Sequence, residues 1–488
     1  MNAWRQVARG YVLRIILVLV GVVSVGNSAA GEEQNGGVRP LALSDVLASV
    51  EAQYPPFLSA LIERDIASGR LKSAQGAFDF NVFARAFGTP AGYYNSGTLD
   101  TGFEQFTGIW GATVFGGYRI TGGDELPDYD SNRTQRDGEA KLGLRIPLLK
   151  DGSIDRRRAD VFKARLDKEL ADPFIQRQQL DFVRAATVAY YGWLGAGQRL
   201  HIAEDLLGVA SDRVGALSSQ VTSGLIAPIV VTDNRRLVVS RQIGLVQAQR
   251  RFEAAGLAMS LFYRDSADQP VVAGRSRLPA DFPKETVPTA DRVASDVDQA
   301  LQRRPEVIRF ELATSKLDVD RRLMKNQLLP NLDLGVTASQ DFGEKIYEDK
   351  DELEVQAGVE LRVPLQRRSA KGRLEEIEGQ LSQLSNERRF AQDRIRNEVR
   401  DAYSALRAAD GQITQTGLNV DLARELQAAE ADRFKSGAAD LLALQLREQA
   451  TFDAQVLAVE ARTEFFRALA DYRAASAADL PARASKSR

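Results

Sequence analysis

The chain has no cysteine and a single histidine, His201, among its 488 residues. Disulfides, thiolate nucleophiles and cysteine-based zinc sites are thereby excluded, as is a lipid-bearing cysteine near the N-terminus. His201 lies in a helical stretch among charged residues, where a solvated imidazole is the expected state. Charge of either sign is nearly cancelled, 64 basic against 66 acidic residues, so no bulk electrostatic footprint for nucleic acid exists. Aromatics are sparse at 7% of residues. Beyond position 30 no apolar run approaches the roughly 18 residues of a membrane-spanning helix. No metal-ligand cluster or nucleophile–base pairing stands out, so neither an enzyme nor a resident cofactor is expected. Gly116-Gly117 and Gly122-Gly123 lack the Gly-Lys-Ser/Thr ending of a phosphate loop. Arg156-Arg157-Arg158 and Glu375-Glu376 read as solvated helix charges.

What is present begins with a targeting segment, residues 1–30. Arg5, Arg9 and Arg14 form a basic region, Ile15 to Val25 an apolar one, and Ser28-Ala29-Ala30 offers small residues for cleavage. An exported chain without a membrane helix is periplasmic, secreted or an outer-membrane β-barrel.

The remainder contains its architecture twice. Leu142-Gly143-Leu144-Arg145-Ile146-Pro147-Leu148 recurs as Val359-Glu360-Leu361-Arg362-Val363-Pro364-Leu365. Val188-Ala189-Tyr190 recurs as Asp401-Ala402-Tyr403, and Ser223-Gly224 as Ser436-Gly437. Internal repetition of this size implies pseudo-symmetric halves. They divide as a first repeat at 41–268, a Pro-rich linker at 269–292, a second repeat at 293–475 and a disordered tail at 476–488. Each half opens with a helical region broken by an early proline, Pro55 or Pro305.

Alternating segments follow. Phe78 to Ala86, Trp110 to Thr121 and Lys141 to Ile146 occupy the first half; Asn331 to Ala338 and Glu354 to Val363 occupy the second. Each puts apolar residues on one face and polar ones on the other, as in a half-buried antiparallel strand or a lipid-facing barrel strand. The rest is charge-studded helix, poorly suited to cover the apolar faces, so lipid is the better covering layer. A chain that enters and leaves a barrel on one side crosses an even number of times. The second half shows two crossings and the first three, so one of the three is not independent. The insertion at 88–108 is expected to bend a long strand or form an outward loop, with Tyr93, Tyr94, Phe103 and Phe106 at the membrane interface. From about Asp155 to Val221 and Ala370 to Lys435 run two rods of roughly 100 Å at 1.5 Å per residue. Each ends in a glycine turn and a returning helix.

In this order, the duplicated helix, strands with Arg-apolar-Pro-Leu, long helix, Gly turn and return helix resemble the TolC family of outer-membrane efflux channels. The resemblance covers about Leu41 to Ala475. It implies a mixed α and β fold: a transmembrane β-barrel of four strands per chain, 12 in a homotrimer, continuous with a long periplasmic α-helical barrel. It also implies a role as exit duct of a tripartite efflux or type I secretion system, in the outer membrane of a Gram-negative-type bacterium. The implied partners are outer-membrane lipid, a periplasmic adaptor (membrane fusion protein) and an inner-membrane transporter. Residues at the adaptor-contacting tips carry over to Gly224, Leu225, Gly437 and Ala438. The family's aperture aspartates fall near Ala443 and Leu446, which are not acidic; Asp233 and Asp440 are the nearest carboxylates. A periplasmic coiled-coil adaptor or structural protein is the alternative, but an adaptor would show one helical hairpin rather than two full copies.

Overall fold

The computed structural model describes residues 39–128 and 130–480; the signal segment and most of the expected tail lie outside them. Each half begins with two helices separated by one extended residue before a proline. In the first half these are α1 (Leu43–Gln53) and α2 (Pro55–Gln75), and in the second α5 (Ala290–Arg303) and α6 (Pro305–Gln327). Proline lacks the N–H a helix interior needs but is tolerated at the first helical position, so it ends one helix and starts the next.

One antiparallel sheet is shared by both halves, in the order β1-β2-β3-β4-β5-β6. Its strands are β1 (Asn81–Thr89), β2 (Ser96–Phe106), β3 (Thr113–Gly123), β4 (Gly138–Pro147), β5 (Asn331–Phe342) and β6 (Glu354–Arg362). The expected four strands per chain are therefore six. The segment 88–108, expected as a bend or loop, contains β2, which pairs along its length with β3 and with all of β1. Its glycines and charges, Gly97, Asp100, Gly102 and Glu104, dilute the alternation that marks the other strands. The count is even in each half by addition: four strands in the first and two in the second. The halves join where β4 pairs β5, from Gly138↔Phe342 to Pro147↔Asp333. Proline fits at the end of β4 because no further ladder N–H is required there.

The rods are α3 (Arg156–Thr222) and α7 (Arg368–Lys435), of 67 and 68 residues, with Pro173 inside α3. They return as α4 (Pro228–Ser260) and α8 (Leu441–Ser476). Neighbouring contacts place the four helices in a row, α4-α3-α8-α7. Partway along the rods, a core drawn from both halves ties the row to α1, α5 and α6 through Val46, Trp193, Met259, Val297, Val307, Val399 and Phe465. The linker is part of it: Phe282 packs, near-parallel, against the stacked Tyr191–Phe466 pair, at ring separations of 6.2 and 5.6 Å. The duplicated tyrosines both reach this core, Tyr190 donating its hydroxyl to the Leu41 carbonyl at 2.9 Å and Tyr403 packing 6.1 Å from the Tyr472 ring.

Trp193 is fully buried at the centre of this junction. Trp193→Ala is expected to cost about 3–5 kcal/mol through lost burial and the cavity left behind. The check is a lowered melting temperature of the detergent-solubilised protein with its secondary structure retained at low temperature.

Candidate functional site

The strand registers assemble two chemically opposite surfaces. One face carries Val82, Ala84 and Ala86 on β1, then Leu99 and Phe103, Val114 and Ile120, Leu142 and Leu144, Leu334 and Val336, and Val355, Val359 and Leu361 on β6. These side chains are open: Val355, Val359 and Leu361 are each more than 60% exposed. Among the described residues no helix packs broadly across this face. A contiguous apolar surface of this extent is expected to be covered by something outside the chain. Strands of 9 to 12 residues match the span of a tilted membrane strand.

The other face is polar. In direct cross-strand register it sets Arg85 opposite Asp100, Asp100 opposite Arg119, Arg119 opposite Glu139 and Glu139 opposite Asp341. Asp100 is held by Arg119 at 3.4 Å and Lys141 at 4.0 Å. Where this face needs bulk, aromatic rings lie over cross-strand glycines. A Cβ at Gly143 would come within 2.3 Å of the Phe115 ring.

At the end remote from the helices the β3–β4 and β5–β6 loops are locked together. Gln135 accepts from the Ile346 and Tyr347 amides at 2.7 and 3.1 Å, and the Tyr347 hydroxyl accepts from the Leu126 amide at 2.8 Å. Arg133 pairs with Asp349 at 2.7 Å and lies over the Tyr347 ring. Its hydrogen bond holds the Asp349 carboxyl below the usual aspartate range. Tyr93, fully exposed, and Tyr94 cap the β1–β2 turn at that same end. Phe103 is instead within β2, stacked 5.2 Å from Phe80 near the helical end, and Phe106 lies beneath Arg157 at 3.5 Å. The four aromatics thus divide between the two ends of the sheet.

The strand-to-rod corner corrects the expectation that all three consecutive arginines are solvated. Arg156 is exposed, but Arg158 is 11% exposed at its side chain and donates to the Asp151 and Gly152 carbonyls at 2.7 and 2.8 Å. It also pairs with Asp155, which caps α3 by accepting from the Arg158 amide at 3.0 Å. Gly111, at φ +66, fits this corner because a Cβ would meet the Asp151 carbonyl oxygen at 2.4 Å.

At the far end of the row both rods finish alike. Leu225 donates to the Gln220 carbonyl and Gly224 to that of Val221, each at 2.9 Å; Ala438 donates to Arg433 at 2.8 Å and Gly437 to Phe434 at 3.1 Å. This paired pattern is the Schellman ending, and Gly224 and Gly437 take its left-handed position at φ +72 and +76. Leu217, Val231 and Leu441 bring the two tips together. All four expected tip residues are exposed, Leu225 among them at 75%, and beside them Ile229, Leu442 and Leu446 are apolar and more than half exposed.

The two expected carboxylates are both engaged within the chain. Asp440 caps α8, accepting from the Ala443 amide at 2.8 Å. Asp233 pairs with Arg236 and accepts from Gln445, both at 3.4 Å. Sequence reasoning missed a more enclosed charge cluster one step from the tips. Glu448 on α8, with a side chain 2% exposed, binds Arg241 of α4 at 2.7 Å and Arg213 of α3. Arg241 also donates to the Leu206 carbonyl at 2.8 Å, and the wholly buried Asn234 to that of Ala210 at 3.0 Å. Each of these charges looks like an ordinary helix-surface residue in sequence; only their convergence from three helices distinguishes them. His201 is exposed near Glu204 and Asp205, and no cluster of metal-binding residues occurs among the described residues.

No family model and no curated protein matches the chain. Solved structures do. The chain is similar to the outer-membrane channel OprN, with 15% identity, 89% of each chain covered and a TM-score of 0.64. It is similar to the open state of the MtrE outer-membrane channel of Neisseria gonorrhoeae, at 15% identity, 89% and 88% coverage and a TM-score of 0.63. For the outer-membrane protein VceC of Vibrio cholerae the values are 15%, 89% and 95%, and 0.60. The fold is therefore that of the TolC-like outer-membrane channels, a mixed α and β architecture.

Removing Glu448 leaves Arg213 and Arg241 buried without a counter-charge. Glu448→Ala is expected to destabilise the hairpin pair by about 3–5 kcal/mol. Hydrogen exchange should locate the loosening at the tip half of α3, α4 and α8 rather than at the sheet.

Proposed function

We propose that three copies of this chain form an outer-membrane channel, the exit duct of a tripartite efflux or type I secretion assembly. The observation that carries this reading is the apolar sheet face, which no layer among the described residues covers and which lipid would cover. The polar face then lines a wet exit. Closure is required because unpaired strand edges are not tolerated in hydrocarbon.

The helical row supports assembly of copies. Its outer helices bear apolar stripes open to a neighbour: Val239, Ile243 and Val246 on α4, and Leu418, Leu422 and Leu426 on α7, all half exposed or more. Counting about 1.5 Å per residue from the tips, both stripes lie roughly 15–27 Å above them. A neighbouring copy set beside the first brings α4 against α7 at matching height. The resulting tube carries cargo past the periplasm without chemistry of its own; a transporter in the inner membrane selects the cargo and supplies the energy.

The exposed tips Gly224, Leu225, Gly437 and Ala438, with the apolar side chains beside them, are the surface for a periplasmic adaptor. Asp440, exposed with one oxygen used in capping, supplies a ring of three carboxylates at the aperture; Asp233 is drawn into the hairpin contacts.

The protein should fractionate with outer membranes, require detergent for extraction and have the mass of a trimer. Full recovery in the soluble periplasmic fraction would refute the channel reading. Leu225→Glu and Gly437→Asp are expected to reduce export at least tenfold without loss of trimer, and unchanged export counts against the tips as the adaptor surface. Asp440→Asn keeps the helix cap and should lower the cation preference of single channels in planar bilayers; an unchanged reversal potential removes Asp440 from the aperture.

A further inference from the structure

We infer that the barrel closed by this chain has eighteen strands, through pairing of β6 of each copy with β1 of the next, and not the twelve of a four-stranded subunit. The inference rests on the trimeric reading above and adds the hairpin β1–β2 to the barrel wall.

Three observations place that hairpin in the wall. First, its pairing is continuous: β2 matches β3 from Ser96↔Gly123 to Phe106↔Thr113, without a break or bulge. Second, both surfaces of the sheet run through it. Val82 and Ala86 prolong the apolar face, and the Arg85–Asp100 pair prolongs the charged row that continues into Arg119 and Glu139. A hairpin folded away from the wall would have no reason to repeat the lipid-side and water-side chemistry in register. Third, the open edges suit each other. β1 and β6 are the two outer strands and both have nine residues. With six strands alternating in direction, β6 meets the next copy's β1 antiparallel, as every other pair in the sheet does.

End-to-end pairing sets Asn81 opposite Arg362 of the next copy and Thr89 opposite Glu354. Val82, Ala84 and Ala86 then face Leu361, Val359 and Ala357 on the lipid side. On the water side Arg85 lies diagonal to Glu360, within reach of a long side chain. No charge is turned toward lipid. Barrel diameter grows about linearly with strand number, so the exit is about one and a half times as wide as a twelve-stranded one.

The absence of native cysteine makes the junction directly testable. Ala84→Cys with Val359→Cys sets two thiols in a directly opposed pair across the proposed seam. Within one chain these positions sit on the first and last of six strands, about 24 Å apart at the usual strand spacing, so no intrachain disulfide can form. Mild oxidation of the membrane-embedded trimer is expected to yield covalent dimers and trimers on a non-reducing gel, with neither single variant doing so. Tyr118→Cys with Ala357→Cys is the counter-test, since it joins β6 to the next copy's β3 in a twelve-stranded wall. Cross-linking by that pair alone, or by neither pair in a verified trimer, overturns the inference while leaving the channel intact. A protein that is not trimeric and not in the membrane fraction overturns the channel reading itself.

Discussion

The structure depends on one unmet requirement: a six-stranded sheet whose apolar face has no partner among the described residues. In a soluble protein a helix layer would cover Leu142, Val336 and Val359 and exclude water from them. Here the helices run away from the sheet, and their charge density makes them poor covers. The same requirement governs the backbone. The outer edges of β1 and β6 have donors and acceptors without a partner among the described residues, which is tolerable in lipid only if copies complete each other.

Everything between sheet and tips converts that lipid-matched surface into a rigid extension. The corner at Gly111, Asp151 and Arg158 turns a strand into a rod while satisfying the first turn of α3. The shared core around Trp193 and Phe465 fastens the two repeats and their linker. Farther out the rods lose this core, and the buried Arg213–Glu448–Arg241 group takes over the task of holding α3, α4 and α8 together. An ion group of this kind specifies register more than it adds stability, because its members resist being buried in any other arrangement.

The duplication does not produce equal halves. The second repeat supplies one hairpin to the sheet and the first supplies two, so two quasi-equivalent hairpin rods support a sheet with an unequal number of strands from each repeat. The tips remain closely alike, with matching Schellman endings at Gly224 and Gly437. Asymmetry is thus concentrated at the sheet, and near-equivalence at the rod ends.

Much of this was legible in sequence. Period-two alternation marked five strands, because each carried a clean apolar face. Uninterrupted polar helix marked the rods, Ser-Gly marked their ends, and Pro55 and Pro305 marked breaks, since these residues act through their own backbone preferences. The strand β2 was hidden: Asp100, Gly102 and Glu104 serve the polar face, Gly102 under the Phe83 ring, and together with Gly97 they resemble loop residues when read alone. The partners of Asp100, Arg158 and Glu448 were equally hidden, because identical charges occur throughout the solvated helix surfaces. The sequence by itself determined five of the six strands, the helices and where the rods turn, because these follow from local backbone chemistry and periodicity. Only the tertiary structure decided how many strands enter the sheet and which charges are buried, because both depend on neighbours brought together from distant parts of the chain.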